Sequence, residues 1–120
     1  MRPVVYIATP ISRGNLDHNI GQANEAMLIL MRRGISPINP VGSCFVGYPE
    51  LKEPAVLSCG LSHQEWIDMD LELVARSDGV LRLPGDSLGA DKETAHARSL
   101  GIPVFDSIDA VLIHFGRQGN

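Results

Sequence analysis

Two carboxylates stand where helical periodicity calls for apolar side chains. In residues 89–100 the apolar stripe is Ala90, Ala97 and Leu100, and at ~100° per residue Glu93 falls inside it. In residues 63–76 the stripe is Ile67, Leu71 and Val74, with Asp70 at its edge and Asp68 and Glu72 turned to solvent. An inward carboxylate lifts its head to water, meets a cation, or does chemistry. A facing pair has one chemistry in particular open to it. In glycoside cleavage one carboxylate attacks the anomeric carbon, and the other group protonates or orients the leaving side. The competing reading is that each carboxylate caps a helix or pairs with an arginine.

A second constellation lies just upstream. Asp86-Ser87-Leu88-Gly89 puts a hydroxyl and backbone N–H groups at the start of the helix that carries Glu93. Such a terminus forms an anion pocket, although Gly89 is equally well explained as a turn glycine. Ser12, Arg13 and Gly14 supply a second wall if the fold brings them alongside. Cys59 and His63 stand four apart, with no third or fourth ligand evident, so no metal site is expected.

The elements that must position these groups alternate regularly. Residues 3–8 are an unbroken apolar run, as in a parallel strand buried on both faces, with Tyr6 its one polar-tipped member. Turn formers follow through Asn15, then a helix at residues 17–33 with Ile20, Ala23, Asn24, Met27 and Met31 on one face. Residues 35–38 are a second strand. Residues 39–61, rich in proline and glycine, read as a long irregular loop, either a lid or a subunit contact. Ser62 and Glu65 form a capping-box pattern before the Asp70 helix. Strands at 80–83 and 102–105 bracket the Glu93 helix, and Asp106 or Ser107 opens a last helix that runs to about residue 115.

This alternation predicts an α/β fold: a small doubly wound, flavodoxin-like three-layer sandwich around a parallel sheet of four or five strands, one domain over residues 1–120. Right-handed crossovers then gather the strand-to-helix loops at one edge, bringing residues 6–14, the Asp70 helix and residues 86–93 together.

Bulk properties narrow the partners. A net charge of −4 argues against a nucleic-acid polymer, which needs a basic face. No stretch approaches the ~18 apolar residues of a membrane span, and the first residues lack a signal-peptide core. Two cysteines without close partners fit reduced thiols in the cytoplasm.

The segments YIATPIS, WIDMDLELVARSD and LPGDSLGADKETAHARSLGIPV resemble the nucleoside 2-deoxyribosyltransferase superfamily over nearly the whole chain. Among its branches the 5′-monophosphate N-glycosidases are the most similar. The resemblance implies cleavage or transfer at the N-glycosidic bond of a (deoxy)nucleoside 5′-monophosphate, with no cofactor. It implies Glu93 as the nucleophile taking C1′, Tyr6 beside it, and Asp70 orienting or protonating. It further implies phosphate contacts from Ser87, Gly89 and the segment Ser12, Arg13, Gly14, in a homodimer or larger assembly with shared sites. The sequence also departs from the pattern. Ser87 stands where the transferases carry an aspartate, and Asp91-Lys92 replaces small or apolar residues. Two alternatives remain. One is a nucleotide-binding module without turnover. The other is a lysine-decarboxylase-like phosphoribohydrolase, disfavoured because PGDSLGADKE replaces its PGGxGT pattern.

Overall fold

The apolar run at the start of the chain becomes the inner strand on which the sheet is built. In the computed structural model, which describes residues 1–10, 14–40 and 62–118, the order is β1 (Val4–Ala8), α1 (Leu16–Arg32), β2 (Ser36–Ile38) and α2 (His63–Ala75). Then come β3 (Gly79–Arg82), α3 (Leu88–Ser99), β4 (Val104–Phe105) and α4 (Ile108–His114). The described strands form one parallel sheet of four in the order β2-β1-β3-β4. The connections leave β1 toward β2 and return past it to β3, so strand order reverses at β1. In open α/β sheets that switch point, at the carboxyl ends of the strands, is where ligands bind.

Strand alternation splits the core in two. Val5, Ile7, Leu81 and Leu83 face α1 and α4 through Ala23, Ala26, Leu30, Val111 and Leu112. Tyr6, Ala8 and Val80 face α2 and α3 through Val74, Ala90 and Ala97. The sheet is thus covered on both sides, which completes the three-layer sandwich.

Local chemistry sets the helix ends. Asn15 caps α1 by accepting from the His18 N–H, and Ser62 and Glu65 close a reciprocal capping box on α2. At the end of α3 the Ile102 N–H bonds Ala97 O and the Gly101 N–H bonds Arg98 O. With Gly101 at φ +74 this is a Schellman turn.

One predicted face is rotated in the structure, and another keeps its orientation but loses its last member. On α1 the buried residues are Asn19, Ala23, Ala26 and Leu30, with Ile20 and Met27 partly covered, while Asn24 and Met31 are exposed. Small alanines let the helix settle close to the sheet, and the long, flexible methionine at its end stays at the rim. On α3, Leu100 lies outside the helix as its C-cap and is exposed. Ile102, just past the Schellman turn, packs against the core in its place. On α2, Leu71 is only half-buried, beside the buried Ile67 and Val74. Residues 41–61, which include most of the predicted irregular loop and both cysteines, lie outside the described residues.

Candidate active site

α3 has an unusual buried face: Ala90, Glu93, Thr94 and Ala97. Its alanines bring the helix close to the sheet, and Glu93 occupies the space a large aliphatic side chain would normally fill. Glu93 is 8% exposed and Tyr6, in the middle of β1, is fully buried. The Tyr6 hydroxyl donates a short hydrogen bond to Glu93 Oε2. Asp70 comes in from α2, hydrogen-bonds the same tyrosine, and adds its charge to the surroundings of Glu93. β1, α2 and α3 therefore meet in one group of two carboxyls and a phenol, with Asp70 half-buried and the other two buried.

The electrostatics follow from this packing. Burial is the main cause that pushes Glu93 from 4.5 up to about 8; the Asp70 charge adds to the rise, while the Tyr6 hydrogen bond and the Arg82 cation oppose it. Asp70 rises from 3.8 to about 6, again through burial and against its Tyr6 bond. Between these values the pair holds about one proton, which the higher Glu93 value places on Glu93; its passage to Asp70 through the Tyr6 hydroxyl they share leaves a nucleophile and an acid.

The other predicted residues have mixed outcomes. Ser87 is buried and caps α3, its Oγ accepting from Ala90 N at 3.1 Å. Its own O–H remains a donor. Gly89 lies in the first turn, where N–H groups have no intrahelical acceptor, and a Cβ there would meet only Ser87 Oγ at 3.9 Å. Gly14 is an exposed turn glycine at φ +78, and Ser12 and Arg13 lie outside the described residues.

Four buried polar atoms lack a hydrogen-bond partner among the described residues: Thr9 Oγ1, Asn39 Oδ1, Trp66 Nε1 and Asp70 Oδ1. Thr9 follows β1, Asn39 follows β2, and Trp66 and Asp70 lie one turn apart on α2. Thr9, Asn39 and Trp66 are at the carboxyl edge of the sheet. Such orphaned groups cost about 1–3 kcal/mol each and are uncommon away from functional sites.

Sequence reading missed Arg82, the last residue of β3. Its guanidinium donates to Leu83 O, to Gly85 O at 2.8 Å and to Asp91 Oδ1 at 3.1 Å. This accounts for Asp91, whose place in the motif the sequence left unexplained, while Lys92 is simply exposed. The available signal was a cation between two leucines at the end of an apolar strand, on the same alternating face as Val80. Among the described residues no cluster of three or more His, Cys, Asp or Glu could hold a metal ion, and no helix is long and apolar enough to cross a membrane.

The fold is a parallel α/β sandwich that places buried Glu93 and half-buried Asp70 beside Tyr6. The chain belongs to the family described as a domain of unknown function, DUF4406, which it matches over residues 3–106. That span runs from the start of β1 to just beyond β4 and contains Tyr6, Asp70, Ser87 and Glu93. Among solved structures the chain is similar in fold to a 2-deoxyribosyltransferase from the psychrotolerant bacterium Bacillus psychrosaccharolyticus. The TM-score is 0.60 and the identity 20%, over 84% of this chain and 69% of that one. No curated protein sequence matches the chain.

Proposed function

We propose that this protein cleaves the N-glycosidic bond of a (deoxy)nucleoside 5′-monophosphate through a covalent glycosyl intermediate on Glu93. The observation that carries this reading is the buried Tyr6–Glu93 hydrogen bond with Asp70 on the same tyrosine. In the first step the pair's proton moves from Glu93 through Tyr6 to Asp70, a Glu93 oxygen bonds C1′, the C1′–N bond breaks, and Asp70 passes the proton to the departing base. In the second step water attacks C1′, gives its proton to Asp70 and frees Glu93. A free base in place of water makes the reaction a transfer.

The phosphate sits in this reading at the head of α3, on the Ser87 O–H and the first-turn N–H groups of Leu88 and Gly89, where the helix dipole favours an anion. Ser12, Arg13 and Gly14 are the further phosphate contacts of this reading. The orphaned polar atoms Thr9 Oγ1, Asn39 Oδ1 and Trp66 Nε1 support a polar ligand at this edge. A second copy of the chain completes the assembly, and exposed Met69 on α2 and Leu88 on α3 offer apolar surface for it.

The test is to incubate the purified protein with each ribo- and deoxynucleoside 5′-monophosphate and chromatograph the products. Free base and sugar phosphate are expected from at least one. No release across the panel, with thermal stabilisation by a nucleotide, would replace the enzyme by a binding module.

The reacting pair also sets a pH dependence. Below about 6 both carboxyls are protonated and the nucleophile is lost; above about 8 both are ionised and the acid is lost. A bell-shaped kcat/KM profile with limbs near those values is expected in initial-rate measurements. A rate that keeps rising above pH 9 would remove Asp70 as the acid.

A further inference from the structure

Arg82 ends β3 opposite Ala8, two positions beyond the Tyr6–Val80 pair, and therefore on the face that carries the carboxyls. Its side chain is 15% exposed, whereas that of Asp91 is 63% exposed. A cation this far from water is costly unless its donors are satisfied, and here they are satisfied locally. Two acceptors, Leu83 O and Gly85 O, belong to the loop that ends at Ser87; the third, Asp91, is two residues before Glu93 on α3. The planar guanidinium fork bonds both pieces of chain at once.

The same loop is pressed from its other side. Gly85 has φ +129, and a Cβ there would lie 2.8 Å from Pro10 Cγ. The loop is thus held between the β1 connection and the Arg82 fork.

We propose that Arg82 is a positioning residue. It ties the loop that precedes α3 to the first turn of that helix, and it presents a fixed cation to the Glu93 side of the site with Asp91 as its counter-ion. The inference rests on the reading of Glu93 as the reacting carboxylate. With its fork spent on the chain's own acceptors, Arg82 acts through position and charge, not as a phosphate ligand. Its charge reaches Glu93 and favours the ionised form. Among the described residues the other titratable groups that act on Glu93 are Tyr6 from β1 and Asp70 from α2; half-buried His96 follows a turn further along α3, and β4 adds the apolar Val104 on that face. Asp91, more exposed, offsets part of the cation.

The test is to titrate the Glu93 carboxyl by NMR in ¹³C-labelled protein, with the signal assigned by its loss in Glu93→Gln. Arg82→Gln is expected to raise the midpoint by about one pH unit, and Arg82→Lys to recover most of that change. Asp91→Asn is expected to lower the midpoint, and the lowering should vanish in the Arg82→Gln, Asp91→Asn double variant. A midpoint unmoved by both single variants overturns the proposal. Should Arg82→Gln fail to fold, the exposed Asp91→Asn change decides by itself. The readout is an ionisation and not turnover, so it stands whether or not any nucleotide releases base.

Discussion

Changing Glu93 to glutamine is expected to lower the rate of base release by roughly 10⁴-fold or more, with the fold unchanged. Glutamine keeps the volume of the side chain and an oxygen that accepts the Tyr6 hydrogen bond. It loses the carboxylate that bonds C1′ in the proposed mechanism. Glu93→Ala should be equally inactive and should also fold, because the face it joins is already built from Ala90 and Ala97. The measurement is chromatographic base release from whichever nucleotide proves to be a substrate, beside circular dichroism of each variant. A glutamine variant as fast as the wild type would end the covalent mechanism. One that changes only KM would make Glu93 a binding group instead.

The same substitution should make the protein more stable in alkali. The Glu93 carboxyl titrates near 4.5 when unfolded and near 8 when folded. Its folded value is raised, so the protonated form favours the native state. Its contribution is fully present below about 4.5 and is lost as pH rises through about 8. At ~1.4 kcal/mol per pH unit the limit is roughly 5 kcal/mol, and relaxation around the charge reduces it. Glu93→Gln, which cannot ionise, is expected to gain on the order of 3 kcal/mol over the wild type at pH 9, about 10 °C in Tm. Below about pH 4.5 the two proteins should melt together. Thermal melts across that range check it, and equal Tm values at pH 9 would mean that Glu93 is not held in a desolvated site.

The two effects have one origin. A carboxyl held out of water costs stability once it ionises, and in the proposed mechanism that same group does the chemistry.

The sequence carried the architecture because each element announced itself in local chemistry. The apolar run of β1, the Ser62–Glu65 box and the Gly101 turn each need only neighbouring residues to be read. Glu93 was legible for the same reason, as a charge inside an alanine stripe. Arg82 was not, because its three acceptors come from the loop after it and from α3, and spacing does not reveal a fork that bridges them. The buried face of α1 was misread because hydrophobicity favours Met31, whereas packing against a flat sheet favours Ala26. Tyr6 lay between these cases. Its hydroxyl stood out in an apolar strand, but that it bonds both carboxyls depends on β1 lying beside β3.

That adjacency also bears on how the protein can change. β1 pairs directly with β3, and among the described strands β2 and β4 are the edges. The register that holds Tyr6 opposite Val80 is therefore set between two inner strands. Substitutions along either edge strand can accumulate while the three groups around Tyr6 keep their places. The centre of the sheet and its margins form separable modules, so the margins are free to drift.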